Sequence, residues 1–221
     1  MKDILGQAIH DHYHKSANHK LWINNQYGPK EEMPIDVYFR DEDDMPDIEW
    51  LAMNECRGSV LDIGAGAGSH ALVLQQRGFD CTALDISPLA CDVMKLRKVN
   101  KVIKGDIFVY NECKYDTLLL LMNGIGLTGT LENLKVFLQH IKLLLNPGGK
   151  SYLIHQISLI YMKMACRKKV ITVSYFINMN TIAKKPTGSV GYILMKKHLS
   201  PSLQKLALIW RYYWRMNLNS T

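Results

Sequence analysis

A buried strand that runs straight into a glycine-rich turn and then a helix fixes most of what this chain can fold into. Residues 59–63 read Ser-Val-Leu-Asp-Ile, an apolar run of strand length; Gly64, Gly66 and Gly68 follow, and a helical segment begins at Ser69 and His70. Glycines at such a turn let the backbone bend tightly and approach a ligand with no Cβ in the way. The pattern then repeats. A helix is predicted over 69–77, stopped by Gly78, and a strand over 80–84. Ser87 caps the next helix, with Pro88 at its first position. Strands follow at 101–104 and 115–122. A helix over 131–145 carries Leu134, Phe137, Leu138, Ile141 and Leu145 on one side and ends at Asn146-Pro147-Gly148-Gly149. Strand–helix alternation with short links implies an α/β fold, a mostly parallel twisted sheet with helices on both faces. Ahead of it lie a helix over 3–15, a mixed stretch over 18–50 with the acidic run from Asp41 to Asp44, read as a solvated loop or helix start, and a short helix over 48–54. Internal repeats are absent.

The acids around the turn sharpen its chemistry. Asp62 lies inside the strand end, where a cationic amine can be held. Asp85 ends the second strand, where it can accept hydrogen bonds from ribose hydroxyls. Asp106 follows the third strand, where an exocyclic adenine amine would lie. Ligands of such sheets sit at the carboxyl ends of the strands. The spacing is Gly-x-Gly-x-Gly, not the Gly-x-Gly-x-x-Gly of dinucleotide sites, which disfavours a nucleotide-dependent oxidoreductase. A phosphate-free, cationic nucleoside fits better. S-adenosylmethionine (SAM), with its adenine, ribose, amino-acid end and sulfonium, is such a molecule.

The residues from Val60 to His70 resemble motif I of class I SAM-dependent methyltransferases. Ala83-Leu84-Asp85-Ile86-Ser87 is similar to their second motif and Gly105-Asp106-Ile107-Phe108 to their third. Leu121-Met122-Asn123-Gly124-Ile125-Gly126 resembles the segment after strand four, and Leu144 to Gly149 the turn before strand five. The stretch from Glu32-Met33-Pro34 through Tyr38-Phe39-Arg40 to Pro46 resembles the cap of a small bacterial subgroup whose acceptors are unknown. The resemblance spans residues 1–150. It implies a Rossmann-like fold, SAM as cofactor and S-adenosylhomocysteine (SAH) as product. It implies cofactor contacts from Asp62, Gly64, Ala65, Gly66, Gly68, Ser69, His70, Asp85, Ile86, Gly105, Asp106, Ile107, Met122 and Asn123. Tyr38, Phe39 and Arg40 become lid or substrate residues, closing over the methionine carboxylate or the acceptor, and Asn123 part of the acceptor pocket. Plainer roles stay open beside these: Asp85 as a helix cap, Asp106 as a loop acid, Asn123 as a turn residue, Tyr38 and Arg40 as ordinary cap residues. The implied organisation is a helical cap over 1–50, a SAM-binding domain over 51–150, and a basic segment over 151–221. The implied function is methyl transfer to an undetermined small-molecule acceptor, with a non-catalytic SAM-binding remnant as the alternative. A base is needed only where the acceptor must lose a proton before attack, and no residue stands out as one.

Charge divides the chain. Residues 1–150 hold all 20 acids against 16 Lys and Arg, a balance of −4, whereas residues 151–221 hold 11 Lys and Arg and no acid. Seventy-one residues without an acid are foreign to a folded domain. Read one base earlier, the same DNA turns Met162-Lys163, Met179-Asn180, Met195-Lys196 and Met216-Asn217 each into glutamate, because Met has a single codon. A single-base deletion near Lys150 accounts for this, and it leaves the C-terminal part of the fold missing or non-native. The basic segment then says nothing of nucleic acid, and no nucleic-acid partner is expected. His10 and His14 share a helical face as two metal ligands can, but neither they nor His12 and His19 have an acid or cysteine placed to complete a site, so no metal is expected. Exposed or capping histidines is the reading, with a base toward the acceptor as the other use. The five cysteines, Cys56, Cys81, Cys91, Cys113 and Cys166, form no close pair and read as buried apolar residues of a cytoplasmic protein. Neither a signal-peptide core nor an apolar run of membrane-span length occurs.

Overall fold

The computed structural model describes residues 2–16, 20–23, 30–122, 124–160 and 170–178. The N-terminal region opens with α1 (Ile4–His14), whose first turn is capped by the Asp3 carboxylate accepting from the Gly6 N–H. A short antiparallel pair, β1 (Leu21–Ile23) and β2 (Glu31–Met33), follows. The acidic run forms a single 3-10 turn over Glu42–Asp44, held by the Arg77 guanidinium on Glu42. Next comes α2 (Asp47–Asn54).

The α/β part then alternates as expected: β3 (Ser59–Ile63), α3 (Ser69–Gln76), β4 (Asp80–Asp85), α4 (Pro88–Leu96), β5 (Lys101–Lys104), β6 (Tyr115–Leu120), α5 (Leu131–Leu143), β7 (Leu145–Ile160) and β8 (Val170–Asn178). Among the described residues these strands form one six-stranded sheet in the order β5-β4-β3-β6-β7-β8. The first five run parallel and β8 runs antiparallel to β7. The chain proceeds outward from β3 through β4 to β5, then returns to the other side of β3 with β6. A topological switch point therefore opens between β3 and β6 at their carboxyl ends, where open α/β sheets bind ligands.

Alternation along β3 builds both cores. Val60 meets Leu74, Met94, Met53 and Tyr152 on the side of α2, α3 and α4. Leu61 and Ile63 meet Phe137, Ile141 and Leu118 on the side of α5. Phe137 is fully buried, and its truncation to alanine costs about 3–5 kcal/mol. A third cluster joins Ile9 of α1 to Ala90 and Val93 of α4, so the N-terminal helix is docked on the sheet domain rather than free of it.

Two expectations are corrected. The helix over 131–145 ends at Leu143, and Leu145 already pairs with Tyr115. The ladder then jumps from Tyr115–Leu145 to Thr117–Lys150, so Asn146 to Gly149 bulge out of β7 instead of forming a separate turn before it. Pro147 has no N–H to give a ladder, and Gly148 takes φ +82°, both suited to a bulge. Cys113 is exposed, in the polar loop between β5 and β6, whereas Cys56, Cys81 and Cys91 are buried as expected. Cys166, His19 and residues 179–221 lie outside the described residues. Among the described residues, β7 has no parallel neighbour beyond Leu153, and residues 154–160 pair with β8. No helix among the described residues is long and apolar enough to cross a membrane.

Candidate active site

The glycine turn is held from three directions. From β4, the Leu84 carbonyl accepts from the N–H groups of Gly64 (2.8 Å) and Ala65 (3.2 Å), and the Asp85 carboxylate accepts from Gly66 N–H at 2.8 Å. From the N-terminal region, the Tyr38 carbonyl accepts from Ser69 Oγ at 2.8 Å. From the end of α4, Arg97 Nη1 donates to the Ala67 carbonyl at 2.7 Å and lies 3.2 Å from Ser69 Oγ. Gly64, Gly66 and Gly68 all have positive φ, at +71°, +58° and +81°. Each also meets a different neighbourhood. A Cβ on Gly68 would strike Met94 and Val99 at 2.9 Å, and one on Gly66 would meet Tyr38 at 3.2 Å. One on Gly64 would enter open space. The first two positions are thus small for packing, and the third leaves room for a ligand.

That room is a cavity of about 210 Å³ at the switch point, lined by Asp62, Gly64, Ala65, Gly66, Ser69, His70, Asp85, Met122 and Tyr38, with Leu5, Leu121, Gly124 and Leu127 completing the wall. Met122 takes φ +50°, a backbone conformation a non-glycine residue adopts at a cost, directly at the cavity wall. Asp62 is buried, and its Oδ2 has no hydrogen-bond partner. Burial pushes its carboxyl up to about 6, the nearby His70 ring opposing and the Asp85 and Glu49 carboxylates adding to the rise. An orphaned buried carboxylate oxygen on a residue of the cavity wall is the partner a cationic amine requires. Burial also raises Asp85, against the pull of the Ser87 and Gly66 N–H groups. Tyr38 is raised by burial and by Asp85.

The remaining sequence-predicted residues fall outside the lining. Ile86 is exposed at the end of β4 (69%). Gly105 is bonded to the Asp85 carbonyl at 2.9 Å. Asp106 turns back to accept from Phe108 N–H at 2.9 Å. The Ile107 side chain is buried in the core with Leu84 and Phe137. Phe39 packs under the Arg97 guanidinium, 5.0 Å away, and on His12. Arg40 is turned to Glu49, with Nη2 2.8 Å from Oε2. Asn123 lies outside the described residues. The His10 and His14 rings lie against each other, centroids 4.3 Å apart and tilted by 45°, and no group of three metal-ligating side chains forms among the described residues.

Two participants were not read from the sequence. Glu49 is buried in α2 and accepts from both His70 Nε2 and Arg40 Nη2 at 2.8 Å. Burial alone would raise its carboxyl, but the hydrogen bond and charge of His70, together with Arg40, outweigh that and hold it below its ordinary value. Asp3 reaches the start of α4 instead, its Oδ2 accepting from the hydroxyl of Ser87, which itself caps α4 by accepting from Ala90 N–H. Nothing marks either residue locally, since the partners lie 21 and 84 positions away.

A parallel sheet with an acid inside its first strand end, an acid at its second and an open glycine turn between them defines a SAM-binding α/β enzyme of the methyltransferase class. The profile of a family described as methyltransferase domain matches residues 46–212. A SAM-dependent methyltransferase from Bacteroides fragilis, solved in complex with SAH, is 38% identical over 74% of this chain and 68% of its own, with a TM-score of 0.67. The Type II methyltransferase M.NgoMIV of Neisseria gonorrhoeae is 40% identical over 67 residues, 29% of this chain and 22% of its own length. The chain thus spans about a fifth of that curated relative. It belongs to the methyltransferase domain family.

Proposed function

We propose that this methyltransferase acts on a small-molecule acceptor that is neutral or carries an amine, in the cytoplasm, without a nucleic-acid or membrane partner. The charge around the site carries this reading. The described residues of the cavity wall include no Lys or Arg, and the two acids among them are taken by the cofactor. A phosphodiester acceptor needs cations against its backbone, and residues 1–150 carry a balance of −4.

Within that reading Asp62 holds the cofactor's α-amine and Asp85 its ribose hydroxyls. Both Asp85 oxygens already accept one N–H each, from Gly66 and Ser87, and each keeps lone pairs for a hydroxyl. The cavity is smaller than the ~300 Å³ lower bound of ordinary ligand pockets. It therefore suits the amino-acid end, while adenine and ribose lie along the rim past Ile86, Gly105, Asp106 and the Ile107 backbone. Bound SAM supplies a methyl group already activated on a sulfonium. The chain's contribution is alignment and water exclusion, worth up to ~7–11 kcal/mol in favourable cases. Leu5, Tyr38 and Leu127 form the apolar wall on the acceptor side, and residues 1–50 act as the cap that carries two of them. Asn123, next to Met122 of that wall, completes the acceptor pocket.

Calorimetric titration with SAM and SAH, followed by SAH release in the presence of pooled small amines, phenols and carboxylic acids or of duplex DNA, tests this. Binding with turnover on a small-molecule pool is expected. Turnover on DNA alone overturns the acceptor reading, and loss of binding with Asp85→Ala is expected throughout. The acid-free segment 151–221 favours one second reading, a SAM-binding remnant, for which SAM binds and no pool yields SAH.

A further inference from the structure

We propose that Glu49 is a positioning residue of the cofactor site, fixing the His70 ring through Nε2 so that Nδ1 serves the α-carboxylate of the cofactor's amino-acid end. This rests on the reading that Asp62 and its neighbours hold that end.

An amino acid brings an anion as well as a cation, and the cavity wall carries two carboxylates that repel the anion. A donor is needed. Ser69 Oγ already gives its proton to the Tyr38 carbonyl, and the Gly66 N–H is given to Asp85. His70 lines the cavity and is 5% exposed, so its ring is held in one place. Its Nε2 is 2.8 Å from Glu49 Oε2, which leaves Nδ1 as the ring nitrogen for a ligand. A ring with a proton on each nitrogen donates to Glu49 and to a ligand carboxylate at once. Arg40 Nη2, 2.8 Å from the same Glu49 oxygen, keeps that carboxylate charged and in place despite burial. The ring in the cavity wall is thus held by a charge from α2, itself held by a second charge from the stretch before it. This is the arrangement by which carboxylates orient histidines elsewhere.

A buried Arg–Glu–His cluster with a merely structural role would weaken every ligand alike through the fold. The test uses two ligands that share a nucleoside thioether, SAH and 5′-methylthioadenosine, the second lacking the amino-acid end. Glu49→Gln is expected to weaken SAH about tenfold, a 1.4 kcal/mol change, while moving 5′-methylthioadenosine less than about twofold. His70→Gln should do the same, and the double variant should be no weaker than His70→Gln alone, because the two act as one unit. Equal weakening of both ligands, unchanged SAH affinity, or effects that multiply in the double variant each overturn the proposal. Ring-nitrogen NMR of the unaltered protein provides a check that needs no variant. SAH, but not 5′-methylthioadenosine, is expected to shift Nδ1 of His70, and a static Nδ1 overturns the role. Absence of SAH binding to the unaltered protein would instead overturn the reading of the site itself.

Discussion

Glu49 Oε2 receives His70 Nε2 and Arg40 Nη2 at the same distance, 2.8 Å, so one buried oxygen joins the stretch before α2 to the first turn of α3. Hydrogen bonds to a buried charge contribute more than neutral ones, and losing one partner leaves the others uncompensated. Arg40→Met is therefore expected to lower stability by about 2 kcal/mol at pH 7, read from urea unfolding. The pH dependence has a defined sign. The folded-state pKa of Glu49 lies below the unfolded one, so its contribution is present above the ordinary carboxylate range and is lost as pH falls below ~4. Glu49→Gln should flatten the stability profile in that acid range. An unaltered acid slope in the variant would show that the cluster contributes nothing.

Asp62 works in the opposite sense. Its folded pKa of about 6 lies above the unfolded value, so the free protein is favoured below the unfolded pKa and penalised as pH rises through 6. A displacement of roughly two units corresponds to about 3 kcal/mol of penalty at most. Asp62→Asn should therefore raise the Tm of the free protein at pH 8 while weakening SAM by more than about tenfold, a trade of stability for function. The same ionisation makes SAM binding tighten between pH 5 and 7 in the unaltered protein. Calorimetry across that range checks it, and a flat profile with a destabilised Asp62→Asn variant would reverse the assignment.

The glycines of the turn separate packing from binding. Gly64 and Gly66 both have positive φ, so an alanine at either costs about 1 kcal/mol in backbone strain. At Gly66 the new Cβ also presses on the Tyr38 ring, whereas at Gly64 it projects into the open cavity. Gly66→Ala should lose more stability than Gly64→Ala, and Gly64→Ala should lose more SAM affinity per unit of stability lost. Paired thermal melts and titrations decide between them.

Residues 59–104 were legible almost to the residue. The two inner strands there, β3 and β4, are largely buried and read as apolar runs, and each helix carries its own stop or cap, Gly78 and Ser87 among them. Two of the three acids of the sequence argument reach the cavity rim or wall for the same local reason, since they end strands whose register is fixed by parallel pairing. The rest depended on distant partners. The β1–β2 pair has three residues a strand and no alternation long enough to announce it. The bulge from Asn146 to Gly149 looks like a helix-ending turn because the same residues serve both, and only the jump in the β6–β7 ladder distinguishes them. Glu49 shares the buried face of α2 with Ala52 and Met53, and its role is invisible until His70 of α3 is brought against it.

The first residue after Lys150 carries a mismatch of its own. Ser151, paired with Leu118 of β6, is fully buried in β7, and its Oγ has no hydrogen-bond partner. Its neighbours Tyr152 and Leu153 are apolar core, so the hydroxyl sits where a strand buried on both faces wants an aliphatic side chain. In the reading frame one base earlier this position becomes isoleucine, with codons permitted by Lys150 and Ser151, and an orphaned hydroxyl is what a frame change at Lys150 would leave behind. A buried polar group without a partner costs about 1–3 kcal/mol, so Ser151→Ala should stabilise the protein by about 1 kcal/mol, and Ser151→Val at least as much if the space admits it. Restoring the frame through residues 151–221 should raise the unfolding temperature further, because it returns acids to an 11-cation segment that has none. Thermal melts of the four chains side by side give the order. A Ser151→Ala variant less stable than the parent would show that the hydroxyl is satisfied, and a frame-restored chain that melts lower would remove the frame change as the origin of the basic segment.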